Sequence, residues 1–198
     1  MKQCALILAG GKASRMNYKD KAGLIFRGES FLASLYHEFE PLVDRVVISE
    51  GKTTKREYDE QWDKAYFVRD IFEECGPLGG VHAALSKSDS DLLFVSACDM
   101  PKLKRSLYEY LLGFDQEYYD AIIPTLEGSS QPLAGIYKKR IFPVVEGQLN
   151  AKQYGMRRLL SKLNVCYVEI KDRQELAAMV ENINTMKEYE ELLVEAGR

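Results

Sequence analysis

The chain has 198 residues, of which 46% are hydrophobic and 29% charged, an ordinary composition for a globular protein. This length favours one domain, and no apolar run reaches the ~20 residues of a transmembrane helix. The net charge of −3 argues against a protein that binds nucleic acids or membrane surfaces through general electrostatics.

Cysteine and histidine usage narrows the classes of chemistry further. The four cysteines lie far apart without a CxxC pair, and the apolar run over residues 4–9 is too short for a signal peptide. We therefore expect a cytoplasmic protein with reduced thiols. Only His37 and His82 are available to a Ser-His-Asp hydrolase, and neither stands in a nucleophile motif.

Short apolar runs alternate with helical periodicity over the first two thirds of the chain. Residues 3–9 form a continuous apolar run that ends in Gly10-Gly11, which predicts a buried strand. Ser30 is the predicted N-cap of a helix whose apolar residues recur at helical spacing over 31–42. Further strands are predicted over 45–49, 65–69 and 92–97, and further helices over 54–62, 77–86 and 103–112.

The alternation loosens in the last third of the chain. Strands are predicted over 121–124, 132–137 and 165–170, and helices over 154–163, 174–180 and 186–196. Strands that alternate with helices favour right-handed crossovers and a mainly parallel sheet with helices on both faces. The predicted fold is therefore α/β, in a single domain over residues 1–198.

A basic loop that contains glycines follows the first strand. Its sequence is LAGGKASRM over residues 8–16, and Asp20-Lys21 follows shortly after. Glycines allow backbone N–H groups to approach a ligand, while Lys12, Arg15 and Lys21 supply positive charge, a combination that suits phosphate oxygens. The spacing matches neither a Walker A loop nor the dinucleotide fingerprint. A turn with solvated charges is the alternative.

Three other positions carry polar groups where strands end or helices begin. Asp99 follows the run at 92–97 and suits either a Mg²⁺ ligand or the cap of a helix near Pro101. Asp70 follows the third strand and suits either a guanine or ribose contact or an exposed loop. Asn182 and Asn184 suit a ligand, although spacing alone favours a helix cap in the segment ENINT.

These motifs, in this order, resemble the molybdenum cofactor guanylyltransferases. The resemblance extends from Cys4 to about Leu192, and its most specific element is LAGG-x-x-x-RM-x-x-x-DK. The other matching segments are RD at 69–70, GPLGG at 76–80, CDMP at 98–101 and ENINT at 181–185. The resemblance implies a Rossmann-like three-layer sandwich, similar to the nucleotide-diphospho-sugar transferases. It also implies that residues 1–115 bind GTP and residues 116–198 form the molybdopterin side.

The resemblance implies a role for each matching residue. Lys21, Arg15 and Asp99 are the implied catalytic residues, and Asp99 is the implied Mg²⁺ ligand. The implied nucleotide-binding residues are Leu8, Ala9, Gly10, Gly11, Lys12, Lys21, Ser49, Asp70 and Asp99. The implied residues of the molybdopterin side are Arg157, Arg158, Asn182 and Asn184.

The implied reaction transfers GMP from GTP to the terminal phosphate of molybdopterin and releases pyrophosphate. Partners implied by the resemblance are GTP, molybdopterin and proteins that deliver or receive the cofactor; neither nucleic acid nor membrane is expected. Two alternatives stay open. One is a related nucleotidyltransferase that uses CTP, or a sugar-phosphate or cobinamide-phosphate acceptor, and the other is a GTP-binding homologue without catalysis.

Overall fold

The structure is a computed structural model that describes residues 1–10, 21–50, 62–72, 74–114 and 117–197. Gly11, Lys12, Arg15 and most of the helix predicted over 54–62 lie outside the described residues. The strands are β1 (Gln3–Leu8), β2 (Ile25–Phe26), β3 (Glu29–Ser30), β4 (Arg45–Ser49), β5 (Ala65–Val68), β6 (Leu92–Ala97), β7 (Ala121–Leu126), β8 (Ser129–Ser130), β9 (Ile136–Lys138) and β10 (Val165–Glu169). The helices are α1 (Phe31–Phe39), α2 (Pro77–Lys87), α3 (Arg105–Leu111), α4 (Phe142–Asn150), α5 (Met156–Leu160), α6 (Gln174–Met179) and α7 (Met186–Glu195).

Eight strands form one mixed, mostly parallel sheet in the order β10-β7-β9-β6-β1-β4-β5, with β8 paired to β7. The pairs β1–β4, β1–β6, β4–β5 and β7–β10 are parallel, while β9 runs antiparallel to both β6 and β7. Because two reversals restore the direction, β7 and β10 point the same way as β1, β4, β5 and β6. Their carboxyl ends therefore share one edge of the sheet.

Alternating side chains of the sheet enter two separate cores. In β1, Ala5 and Ile7 face one core, which receives buried residues of α1, α3 and α6. Cys4, Leu6 and Leu8 face the other core, which receives buried residues of α2, α4 and α5. Since successive strand residues point to opposite faces, this division places helices on both faces and confirms the predicted three-layer α/β architecture.

One predicted element differs clearly from the structure. The strand predicted over 132–137 is wrong at its start, because the chain turns through residues 132–135 and pairs only over Ile136–Lys138. The helix α4 and the short strands β2, β3 and β8 are not among the predicted elements. In α4, Gly147 lowers the helical propensity, whereas Pro143 stands in the first turn, where proline is tolerated. Among the described residues, no helix has both the length and the hydropathy that a membrane span requires.

Gly135 generates a test of this packing. A Cβ atom there would come within 2.5 Å of Ile123 Cδ1 and 2.9 Å of the Ile122 carbonyl oxygen. We expect Gly135→Ala to lower the free energy of unfolding by about 1–3 kcal/mol, because backbone as well as side chain must shift. Gly147 has no heavy atom within 4 Å of such a Cβ, so Gly147→Ala should stabilise the protein by about 0.5–1 kcal/mol. Urea denaturation measures both, and equal effects would contradict the packing described.

Candidate active site

The loops that leave β1, β4 and β6 begin side by side. Leu8 is paired with Ser49 on one side and with Ala97 on the other. The Ala9 N–H donates to the Ser49 carbonyl at 2.9 Å, and the Cys98 N–H donates to the Leu8 carbonyl at 3.1 Å. The sheet therefore continues one residue beyond its strands and delivers all three loops to the same place.

Lys21 lies between Asp99 and Asn184. Its Nζ donates to Asp99 Oδ2 at 3.2 Å and to Asn184 Oδ1 at 3.0 Å. The side chains of Lys21 and Asp99 are 22% and 23% exposed, so this charge pair is partly withdrawn from water. The structure thus joins a residue predicted for the phosphates, the predicted metal ligand and a residue predicted for the acceptor.

The second oxygen of Asp99 has a different environment. Asp99 Oδ1 is buried and has no hydrogen-bond partner among the described residues. The alternative in which Asp99 caps a helix is wrong, because α3 begins at Arg105 and its N-cap is Lys104. No cluster of three or more potential metal ligands occurs in the described ranges. A single carboxylate with a free buried oxygen nevertheless fits Mg²⁺, which is commonly held by one or two carboxylates together with substrate phosphates.

Ser49 and Asp70 form a second polar pair at the same edge. The Ser49 hydroxyl donates to Asp70 Oδ1 at 2.8 Å. Burial raises the pKa of the Asp70 carboxyl, and the hydrogen bond from Ser49 offsets part of that shift. Asp70 is therefore held in one orientation in surroundings that disfavour its charge, a condition that a ligand with N–H or O–H donors would relieve.

Glycines at the start of α2 allow that helix to approach the Ser49–Asp70 pair closely. A Cβ atom on Gly79 would lie 3.0 Å from Asp70 Oδ2, and one on Gly80 would lie 3.0 Å from the Ser49 hydroxyl oxygen. Gly76, the N-cap of α2, has φ of 60°, a conformation that residues with side chains rarely adopt. The GPLGG segment thus both turns into α2 and leaves room beside Asp70.

The remaining predicted residues that the structure describes lie on three different parts of the fold. Leu8 and Ala9 are buried at the end of β1, and Gly10 is exposed beside them. Arg157 and Arg158 are exposed on α5, and Asn182 is exposed before α7. Desolvation raises the pKa of Tyr154, and a hydrogen bond with Cys75 adds to the shift, so the chain entering α5 contacts the chain entering α2.

Sequence reasoning did not identify Glu188. Its Oε2 accepts hydrogen bonds from the backbone N–H groups of Asn184 and Thr185, at 2.5 Å and 3.0 Å. The Glu188 N–H in turn donates to Thr185 Oγ1 at 3.2 Å, which completes a capping box at the start of α7. The signal was present in the sequence, because Thr and Glu three residues apart form the capping-box pattern.

Comparison with known sequences gives a consistent result. The sequence profile of the MobA-like NTP transferase domain matches residues 5–166. A probable molybdenum cofactor guanylyltransferase of Clostridium perfringens is 34% identical over 199 residues, covering 98% of this chain and 97% of that protein. A probable molybdenum cofactor guanylyltransferase of Bacillus subtilis is 33% identical over 190 residues, covering 96% and 94%.

Solved structures with the same fold include nucleotidyltransferases. The molybdopterin-guanine dinucleotide biosynthesis protein A of Archaeoglobus fulgidus has a TM-score of 0.78 at 22% identity, covering 98% of each chain. The 2-C-methyl-D-erythritol 4-phosphate cytidylyltransferase of Thermus thermophilus has a TM-score of 0.72 at 16% identity, covering 100% of each chain. At these identities the likeness concerns the fold.

Asp70 generates a stability test. Because its pKa is raised in the folded protein, the ionised carboxylate destabilises the native state relative to the unfolded chain. Asp70→Asn removes that charge and keeps an oxygen that accepts from Ser49. We expect the variant to be more stable than the parent at neutral pH, with the difference narrowing as pH falls through the raised pKa. Urea denaturation at several pH values measures this.

Asp120 provides a control for which the opposite change in stability is expected. Burial alone would raise its pKa, but the hydrogen bonds from Asn164 and Arg140 outweigh burial and lower it. Asp120→Asn should therefore lose stability at neutral pH, and the loss should fade as pH falls. A loss of stability at neutral pH in Asp70→Asn as well would contradict the assignment of Asp70.

Proposed function

The chain belongs to the MobA-like NTP transferase family, and from that membership we propose that it transfers GMP from GTP to the terminal phosphate of molybdopterin. The single observation that carries the proposal is the contact of Lys21 with Asp99 at the carboxyl edge of β1 and β6. Ligands of open α/β sheets bind at this edge. A half-buried ammonium beside a carboxylate, one oxygen of which has no partner among the described residues, suits the phosphates of a nucleotide bound with a cation.

The guanosine end of GTP is assigned to the Ser49–Asp70 pair. The N1–H and N2–H₂ groups of guanine are donors on one edge, and an ionised carboxylate accepts two such bonds. Gly79 leaves space on the side of Asp70 where a Cβ would approach to 3.0 Å. Asp70 therefore supplies the preference for guanine, and Ser49 keeps its carboxylate oriented.

Mg²⁺ would be held by Asp99, through the oxygen that has no partner among the described residues. When bound, the cation neutralises phosphate charge and polarises the phosphorus centre. Lys21 Nζ lies 3.2 Å from the other oxygen, Oδ2, so the Asp99 carboxylate would contact the ammonium and the metal ion through different oxygens.

The reaction needs no nucleophilic side chain. An oxygen of the terminal phosphate of molybdopterin attacks the α-phosphorus of GTP, a new P–O bond forms, and the bond to the β-phosphate oxygen breaks. Pyrophosphate leaves with that oxygen and its electron pair. The protein holds two polyanions in contact and offsets their repulsion, for which Lys21 supplies fixed positive charge close to the phosphates. Arg15 is assigned the same task.

The acceptor is assigned to the surface that carries Arg157 and Arg158. Both guanidinium groups lie on α5, and Tyr154 just before it contacts Cys75 next to the GPLGG segment. Two exposed arginines suit the anionic groups of molybdopterin. Asn182 is assigned to the same substrate, whereas the side-chain oxygen of Asn184 accepts a hydrogen bond from Lys21.

Removal of either charge of the Lys21–Asp99 pair tests the proposed chemistry. We expect Lys21→Ala and Asp99→Asn each to lower kcat/KM for guanylyl transfer by about 10²- to 10³-fold, because each removes charge stabilisation at the phosphates. The loss of unfolding free energy should stay near 1 kcal/mol. Conversion of labelled GTP and molybdopterin to the dinucleotide, with and without Mg²⁺, measures activity.

The matched controls are Arg140→Ala and Asp120→Asn. This ion pair has an N–O distance of 2.6 Å, and Asp120 directly precedes β7, at the opposite edge of the sheet. Both variants should keep transfer activity within about twofold of the parent, as expected for surface substitutions away from a site. Equal losses in the two pairs would show that charge removal acts on the fold rather than on the reaction.

Nucleotide selectivity gives a second test, which separates GTP from CTP. In the presence of Mg²⁺, GTP at a hundredfold excess over its Kd should stabilise the protein by about 2.7 kcal/mol. CTP, UTP and ATP should stabilise it less, because they lack the paired donors that Asp70 accepts. Thermal denaturation with each nucleotide measures this, and Asp70→Asn should lose the preference for GTP. A larger stabilisation by CTP would overturn the guanine assignment.

A further inference from the structure

Glu188 supports the residue that holds Lys21. Asn184 presents its side-chain oxygen to Lys21 Nζ at 3.0 Å, and its backbone N–H is bonded to Glu188 Oε2 at 2.5 Å. A capping box requires only the bonds between Thr185 and Glu188. The additional bond therefore fixes the residue before the N-cap, which is the residue whose side chain contacts the predicted phosphate-binding lysine.

The start of α7 is tied to both members of the Lys21–Asp99 pair. The Ile183 N–H donates to the Asp99 carbonyl oxygen at 2.8 Å, and the next residue, Asn184, accepts from Lys21. Ile183 thus contacts the backbone of Asp99, and the adjacent Asn184 contacts the side chain of Lys21. This segment therefore bridges the two residues that carry the ammonium and the carboxylate.

The rest of α7 packs on the segment that follows Lys21. Ile183 and Leu192 share a small buried cluster with Leu24, Phe26 and Phe31, separate from the two cores of the sheet. The Tyr189 hydroxyl donates to the Ile25 carbonyl at 2.7 Å, and its ring meets Phe31 edge-on. The segment 21–31 therefore packs on α7 as well as on the sheet, since Ala22 belongs to one of the sheet cores. The position of Lys21 depends on both.

The charge of Glu188 is maintained at neutral pH. The hydrogen bond from the Asn184 backbone is the main cause that lowers its pKa, and the positive charge of Lys21 contributes. The bonds from the Asn184 and Thr185 N–H groups nevertheless need only an accepting oxygen, which a neutral amide of the same length also supplies.

We propose that Glu188 is a positioning residue for the Lys21–Asp99 pair, acting through Asn184. The inference rests on the proposed function only for its kinetic consequence, because the contacts themselves are present in the structure. The role requires a side chain at position 188 that is long enough to place an oxygen at the Asn184 N–H. A shorter side chain that carries the same charge does not fulfil the role.

Two substitutions at position 188 separate the effect of side-chain length from the effect of charge. Glu188→Gln keeps the length and one accepting oxygen but removes the charge, whereas Glu188→Asp keeps the charge and is one methylene shorter. Glu188→Ala removes both. The matched control is Glu169→Ala, because Glu169 also accepts hydrogen bonds from backbone N–H groups, those of Glu127, Gly128 and Lys171, at the end of β10. Its strand is the far edge of the sheet.

The first measurement does not depend on activity. Brief acylation of lysines, followed by mass spectrometry of peptides, reports how freely the Lys21 amine leaves its partners. We expect Lys21 labelling to rise about threefold or more in Glu188→Ala and Glu188→Asp, since a lost anchor frees the amine. Labelling should stay at the parent level in Glu188→Gln and Glu169→Ala. Unchanged labelling in Glu188→Asp, or an equal rise in Glu188→Gln or Glu169→Ala, overturns the proposal.

The second measurement is a double-mutant cycle with Asn184→Ala. Glu188→Asp should lower kcat/KM for GTP about tenfold in the parent, because a displaced ammonium no longer meets the phosphates. In the Asn184→Ala background the same substitution should have no further effect, since Glu188 acts through Asn184. Additive losses overturn the proposal. A parent protein without transferase activity overturns the proposed function instead, and the labelling result then stands by itself.

Discussion

The ion pair between Lys21 and Asp99 depends on β1 and β6 being adjacent and parallel. These two residues lie 78 positions apart in the chain. The shared carboxyl edge brings the ends of β1 and β6 together, and the start of α7 contacts both residues. The two side chains are 22% and 23% exposed, so the pair is partly desolvated, and the cost of desolvation offsets much of its attraction. Asp99 Oδ1, which has no partner among the described residues, and the third partner, Asn184, agree with a pair that also serves a ligand.

The strand order explains why the site has two ends. From β1 the chain proceeds to β4 and β5 on one side and returns to β6 on the other. The Ser49–Asp70 pair therefore lies on one side of β1, and the Lys21–Asp99 pair lies on the other. Under the proposed function, a nucleotide bound across the end of β1 would meet a carboxylate for its base at one end and an ammonium for its phosphates at the other. The reversal of strand order at β1 would then set the orientation of that nucleotide.

The sequence predicts correctly those strands and helix ends that depend only on neighbouring residues. The apolar runs of β1, β4 and β6 and the Ser30 cap of α1 are present as predicted, because burial and capping are read from neighbouring residues. Asp99 and Asp70 were identified because both follow strands. The Lys21–Asn184 contact spans 163 positions and could not be predicted, since the position of α7 is set by its packing on Leu24, Phe26 and Phe31. The roles of Lys21, Asp70 and Asp99 stay predictions. So do those of Gly11, Lys12 and Arg15, which lie outside the described residues.

A crystal structure with Mg²⁺ and a GTP analogue that resists cleavage between the α- and β-phosphates tests the central claim most directly. We expect Lys21 Nζ within hydrogen-bond distance of a phosphate oxygen, Asp99 in contact with the metal, and the guanine edge facing Asp70. A triphosphate bound away from the ends of β1 and β6, with Lys21 and Asp99 still paired only to each other and to Asn184, would contradict it.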